Sequence, residues 1–362
     1  MNSQVVAGLL PTERGLEPVR VEFKSRIESI TSISSRSDLP LLTAGLVDTH
    51  SHGLLGHAVT DNPDELLEIS RSAVKFGVTR TVLSLVSSSS EATASVLNAA
   101  SSVLGQEGFS GIHLEGPFLA SERCGAHQLE NLRDCTDSEL EQIVSSKALT
   151  SITIAPERVS LDQAKELAKK ARLALGHTDC DYTLAKLYFE GSTTVLTHAL
   201  NAMRQLTSRD PGPLGAALDV NALIEIIADG HHIHPTVVKA LFDMSDKPVL
   251  VTDSISAAGL GDTELMLGEV SVEVRSGIAK RLDNGALAGS TLTLNKAVAN
   301  CVKWGVPLFD AVAAATSTPA EHYGIGSQRV APGEVADLVL WSEFNPLAVF
   351  RSGELVHGSL VS

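Results

Sequence analysis

The sequence predicts an α/β protein built as a closed (β/α)8 barrel, and three observations carry that expectation. Short apolar, β-rich runs recur eight times between residues 45 and 253. Helix-patterned segments lie between many of them, and six of the eight runs end in histidine or carboxylate side chains. Repeated β–α units imply parallel strands joined by right-handed crossovers. An open, doubly wound sheet would produce a similar alternation. The polar endings favour the barrel, because barrel chemistry gathers at the C-terminal ends of the strands.

Bulk properties set the limits. A chain of 362 residues can form one barrel-sized domain with an appendage. Its 43% hydrophobic content and positive mean hydropathy describe a folded, enzyme-sized protein. There is no run of about 18 apolar residues, so no transmembrane helix is expected. The start, MNSQVVAGLLPTERG, lacks the basic residues and long apolar core of a signal peptide. Cys124, Cys135, Cys180 and Cys301 are scattered without a CxxC pair, which points to a reducing cytoplasm. The net charge of -15 argues against nucleic acid or an anionic membrane as partner. An anionic substrate would need local cations to hold it against that field.

Taken in order, the first run, GLVDTH (45–50), leads into DTHSHG (48–53). Residues i and i+2 of a strand point the same way, so Asp48, His50 and His52 are expected to face one side together. Two converging neutral imidazoles make good divalent-metal ligands; the alternative is a pair of half-buried polar residues at a strand end. The second run is VTRTVLSLVS (78–87), and the third, SGIHLEG (110–116), carries Glu115 at its end. LTSITIAPE (149–157) follows, then ARLALGHT (171–178) with His177 and STTVLTHA (192–199) with His198. ALIEIIADG (222–230) runs into His231 and His232, and KPVLVTD (247–253) ends in Asp253. Segments 63–76, 91–104, 136–147, 160–170 and 181–190 carry helical spacing, with starts expected at Asp137 and Ser160. Any one polar ending is an ordinary strand cap. Their recurrence describes a barrel mouth lined with ligands.

Glu115, His177 and His198 form an oxygen-plus-two-nitrogen set that suits Zn²⁺ or a similar ion and leaves a position open for water. Such an ion brings the pKa of water down towards about 7 and polarises a carbonyl or phosphoryl oxygen. Asp253 is placed to take a proton from that water and pass it to a leaving group. Its alternative is an Asx turn or helix cap before SISAAG (254–259). His50 and His52 could hold a second ion, with Glu115 bridging. The chemistry these residues imply is metal-assisted hydrolysis of an amide or ester.

A resemblance then becomes specific. HLEGPF (113–118), GAH (125–127), LGHT (175–178), THALNAM (197–203), DGHHIHP (229–235), VTDSISAAG (251–259), GALAGSTLT (285–293) and PGEVADLVLW (332–341) occur in this order. Together they closely resemble the N-acetylglucosamine-6-phosphate deacetylase family of the amidohydrolase superfamily, over residues 43–345. The resemblance implies a metal-dependent amidohydrolase barrel over residues 44–326. It also implies a small β domain built from both chain ends, residues 1–43 and 327–362. By the same resemblance, Glu115, His177 and His198 are metal ligands, Asp253 is the general acid/base and His127 helps to polarise the acetamide carbonyl. Ala126, Asn201, Ala202, Leu287, Ala288 and Gly289 resemble substrate-contact positions. Arg209 and His232 match positions associated with the sugar phosphate, the arginine reaching across from the neighbouring subunit of a homodimer.

The implied cofactor is a divalent metal, Zn²⁺ first among them, with one essential ion and room for a second at His50 and His52. The implied reaction is cytoplasmic hydrolysis of N-acetyl-D-glucosamine 6-phosphate to D-glucosamine 6-phosphate and acetate. Two alternatives stand beside it: deacetylation of the galactosamine epimer, and a non-catalytic sugar-phosphate binding protein on the same scaffold. The chain reads HALNAM where family members often read HLFNAM, which would reshape a wall of the pocket. Cys124, next to GAH, is either a plain thiol on a mobile loop or a contact to the metal or a gate of the pocket.

Overall fold

The computed structural model describes residues 3–34, 38–268 and 270–360. Eight parallel strands follow one another around the sheet in chain order. They are β1 (Leu46–Ser51), β2 (Val78–Val86), β3 (Phe109–Glu115), β4 (Leu149–Ile154), β5 (Arg172–Leu175), β6 (Val195–Leu196), β7 (Leu223–Ile226) and β8 (Pro248–Leu250). Helices Pro63–Ala73, Ser90–Val103, Asp137–Val144, Leu161–Ala168, Tyr182–Gly191, Gly212–Asp219, Pro235–Met244 and Leu294–Lys303 return the chain after each strand in turn. The ring closes where β8 runs back to β1. There the Asp253 amide donates to the His50 carbonyl (2.8 Å), the His52 amide donates to the Ser254 carbonyl (2.7 Å), and Ser51 bridges Ser254. Strands such as β1 and β7 are buried at every residue, as parallel strands covered on both faces must be.

The strands are shorter than their apolar runs, and the backbone shows why. His177, His198, Leu200, Ala202 and Asp253 have φ of 46°, 25°, 71°, 46° and 49°, in the left-handed region that ends a strand. The chain therefore leaves the sheet where the polar side chains turn into the mouth. Two local expectations are corrected. Thr136, not Asp137, caps the third helix, accepting from the Glu139 amide, while Ser160 forms a full capping box with Gln163. Asp48 does not face the mouth with His50 and His52. Its carboxylate turns to the Thr252 hydroxyl (2.7 Å) and lines a small cavity with Leu54 and Ile69. The pairing of β1 with β2 shifts register between Asp48 and Ser51, which breaks the strand alternation.

Both chain ends build a separate seven-stranded sheet. Its order is Glu354–Gly358, Asn345–Arg351, Leu338–Ser342, Leu41–Ala44, Gln4–Thr12, Gly15–Phe23 and Ile27–Ser32. It has its own core around Phe23, Ile27, Leu42, Leu338 and Phe350. A three-stranded antiparallel sheet (Thr263–Leu267, Val270–Arg275, Ile278–Arg281), which the sequence reading did not anticipate, intervenes between β8 and its helix. Its inner face packs Val270, Val272 and Val274 on Ile255 and Ala288. Among the described residues no helix is long and apolar enough to cross a membrane.

Candidate metal centre

The C-terminal ends of β1, β3, β5, β6 and β8 bring His50, His52, Glu115, His177, His198 and Asp253 into one buried cluster. Glu115 lies at its centre. Its Oε1 is 3.0 Å from the Nε2 of both His177 and His198, and its Oε2 is 3.3 Å from His52 Nε2 and 3.2 Å from His127 Nε2. Asp253 Oδ1 faces it, 3.2 Å from His52 Nε2 and 3.6 Å from His50 Nε2. Two ligand sets result, Glu115/His177/His198 and His50/His52/Asp253, within each of which the ligand atoms lie within 4.8 Å of one another.

The imidazoles are oriented from behind. His52 Nδ1 donates to the Ser84 carbonyl (2.9 Å), and His177 Nδ1 donates to the Arg123 carbonyl (2.8 Å). His50 Nδ1 lies 3.3 Å from a carboxylate oxygen of Glu225. Each contact places the ring proton on Nδ1 and leaves the lone pair of Nε2 aimed at the cluster. His50 Nε2 is buried with no hydrogen-bond partner, and His177 Nε2 and His198 Nε2 lie 3.1 Å apart. Converging lone pairs around two carboxylates suit a cation, so the residues fit a divalent ion. Protonation tells the same story. Burial pushes the pKa of His52 down, but the hydrogen bonds and charges of Asp253 and Glu115 outweigh it and lift it to about 10. Burial likewise opposes ionisation of Asp253, yet His52 and the nearby His50 hold its carboxyl below the usual range. A site that draws protons onto its imidazoles is one that draws a metal ion in their place.

Holding these residues has a backbone cost. Left-handed conformations at non-glycine residues such as His177, His198 and Asp253 cost on the order of 1–3 kcal/mol each and cluster at functional sites. Two glycines allow the close approach. At Gly125, with φ of 57°, a Cβ would sit 3.1 Å from the His177 ring, and at Gly289, with φ of 58°, it would meet the Asp253 carbonyl at 2.8 Å. GAH and LAGS therefore need their glycines for packing against the cluster.

A chamber of about 320 Å³ opens over the cluster. Of the residues singled out from sequence, Ala126, His127, Asn201, Ala202, His232, Leu287 and Gly289 line it along with His52, Glu115, His177, His198 and Asp253, while His50 lies beneath the surface. His232 is tied to Asp229 (2.7 Å). Ala288 is not at the surface of the chamber: its side chain is fully buried against the three-stranded sheet. Arg209 lies outside it, exposed on the loop before Gly212–Asp219, with no carboxylate partner among the described residues. His231 is exposed, and Cys124 is half-buried with its thiol near the Gly125 carbonyl, off the chamber wall. Leu200, at the departure from HLFNAM, does form part of that wall.

Three participants escaped the sequence reading. The Ser87 amide donates to His127 Nδ1 (3.1 Å), so the proton of the neutral ring sits on Nε2, facing the cluster. A backbone donor leaves no trace in side-chain patterning. His113 is buried beside His50 and hydrogen-bonded to Ser84 and Thr153; burial first, then the charge of His50, holds its pKa well below the usual value. Glu225 did carry a signal, as an acid in the middle of the apolar run ALIEII.

Similarity to known proteins extends over most of the chain, in sequence and in fold. The profile of the Amidohydrolase family matches residues 41–356. The chain is 34% identical over 357 residues to N-acetylglucosamine-6-phosphate deacetylase of Vibrio furnissii, covering 93% of this chain and 89% of that protein. It is 33% identical over 333 residues to N-acetylgalactosamine-6-phosphate deacetylase of Escherichia coli O157:H7, covering 86% of each. A solved structure of N-acetyl-D-glucosamine-6-phosphate deacetylase from Mycobacterium smegmatis, a mutant in complex with N-acetyl-D-glucosamine-6-phosphate, matches with a TM-score of 0.93. Its sequence identity is 28%, and the match covers 98% of this chain and 100% of that one.

Proposed function

The chain belongs to the amidohydrolase family, and on that premise we propose that it is a metal-dependent deacetylase of N-acetyl-D-glucosamine 6-phosphate. The products are D-glucosamine 6-phosphate and acetate. The observation that carries the reading is Glu115, whose two oxygens reach both ligand sets and His127 at 3.0–3.3 Å. A Zn²⁺ held by Glu115, His177 and His198 supplies Lewis-acid polarisation of the acetyl carbonyl and a more acidic water.

The chain's own residues do the rest. His127, with its proton on Nε2 through the Ser87 contact, donates to the carbonyl oxygen as negative charge develops there. Asp253 takes a proton from the attacking water and delivers it to the departing amine. Ala126, Asn201, Ala202, Leu287 and Gly289 form the walls that hold the sugar, and the chamber's volume suits one small ligand. Ala288 supports that wall from beneath. His50 and His52, with Asp253, would hold a second ion. All four cysteines are free, which supports a cytoplasmic setting.

Arg209 reads the phosphate from the neighbouring subunit of a homodimer. Its exposure and its distance from its own chamber support that arrangement, and a guanidinium can grip phosphate in a bidentate fork. Arg209→Met should sharply lower kcat/KM for the 6-phosphate and barely change the poor turnover of unphosphorylated N-acetylglucosamine. Equal losses on both substrates would remove Arg209 from the phosphate site. Mixing Arg209→Met with Asp253→Asn subunits should restore activity, because one site in each hybrid dimer keeps both residues.

The Escherichia coli relative favours a second reading, hydrolysis of the galactosamine epimer. Steady-state kinetics on both epimers separates the two. We expect at least roughly a tenfold higher kcat/KM for the glucosamine compound; the reverse ratio would establish the second reading.

A further inference from the structure

We infer that Glu225 is a positioning residue for the His50/His52/Asp253 ligand set: it fixes the His50 ring so that Nε2 is presented to a divalent ion, and backs that ligand with a full negative charge. The inference rests on the proposal that this set holds a second ion. Glu225 lies in β7 between Leu223, Ile224 and Ile226 and is 2% exposed. Among the described residues no lysine or arginine pairs with it. Its Oε2 lies 3.3 Å from His50 Nδ1 and 3.4 Å from the His198 amide, and its Oε1 accepts from the Tyr323 hydroxyl at 2.8 Å. Among the described residues its three hydrogen-bond contacts are all to N–H or O–H groups, partners suited to a group that only accepts.

A buried carboxylate without a cation is expensive, and a residue that merely filled space between β1 and β7 would be apolar or an amide. The charge has one productive outlet. With Nδ1–H given to Glu225, His50 is left with its lone pair on Nε2, the atom that has no hydrogen-bond partner and lies 3.6 Å from both Glu115 and Asp253. A carboxylate behind an imidazole fixes the tautomer and raises the basicity of the ligand nitrogen. His52 and His177 have only neutral carbonyls in that place. His198 Nδ1 has no partner. Among the described residues, His50 alone of the four ligand histidines carries this reinforcement, so its effect should fall on the second ion and spare the first.

Glu225→Gln tests this, since it keeps size and an acceptor for His50 Nδ1 while removing the charge. Zn²⁺ binding is measured by equilibrium dialysis in chelator-buffered metal, together with thermal unfolding of the metal-free protein. Wild type should bind two ions. The variant should keep the tighter one and bind the other about 10–100-fold more weakly. Its metal-free Tm should be no lower than wild type, with a smaller rise on adding Zn²⁺. On a His50→Asn background the substitution should have no further effect on ion affinity. Two ions at wild-type affinity in Glu225→Gln would overturn the assignment and leave the two-ion reading standing. A single ion in wild type would overturn both. A lower metal-free Tm with unchanged affinity would make Glu225 purely structural. Should Glu225→Gln fail to fold, Glu225→Asp, which withdraws the charge by one methylene, carries the same test: a weakened second ion supports the role, and unchanged affinity overturns it.

Discussion

Asp253→Asn should leave the barrel folded and able to bind substrate while kcat falls by roughly 10²–10⁴-fold, the range for a general acid/base. The fold is safe because backbone hydrogen bonds that the substitution keeps tie this residue in place. Its amide donates to the His50 carbonyl (2.8 Å), and its carbonyl accepts from the Ser290 amide (2.7 Å). Its φ of 49° is one that asparagine tolerates as well as aspartate. What the amide cannot do is carry a proton from water to the amine. A variant that kept near wild-type kcat would remove Asp253 from proton transfer, and substrate binding measured alongside separates lost chemistry from lost affinity.

Glu115→Gln should be at least as damaging, through the metal. Its carboxylate touches both ligand sets, with the Nε2 atoms of His177 and His198 at 3.0 Å and that of His52 at 3.3 Å. The amide matches it in size but carries no charge and turns an N–H towards nitrogens whose lone pairs are needed for the ion. Loss of the essential ion is expected, with activity falling by more than the roughly 10²-fold that outer-sphere changes cost. Metal analysis of the purified variant checks the cause. Full ion content with full activity would show that the two ligand sets work without their central carboxylate.

The parts of the protein legible in its sequence are those that repeat. Eight apolar runs, six of them with histidine or carboxylate ends, reported the barrel, and His50, His52, Glu115, His177, His198 and Asp253 do converge because each ends or follows a parallel strand. Features set by backbone geometry were not legible. Asp48 left the histidines because a register shift in β1 undid the alternation. The tautomer of His127 depends on a main-chain donor at Ser87. Ala288 sits in a motif that contributes to the chamber, yet its own side chain packs the other way. The sheet at 263–281 shows a period-two pattern in VSVEVR, a run between the last barrel strand and the expected β domain, where the sequence reading sought no strands. Arg209 poses a different problem: it is exposed and outside the chamber of its own chain, so the proposed role in a neighbouring subunit has no geometric mark here.

The most direct test of a metal-dependent deacetylase is acetate release from N-acetyl-D-glucosamine 6-phosphate, followed by proton NMR with chelator-stripped and Zn²⁺-reconstituted protein. Stripped protein should release none, and reconstituted protein should release one acetate for each D-glucosamine 6-phosphate formed. Equal release before and after removal of the metal, or none from the fully loaded protein, would contradict the assignment of this barrel mouth as a hydrolytic metal centre.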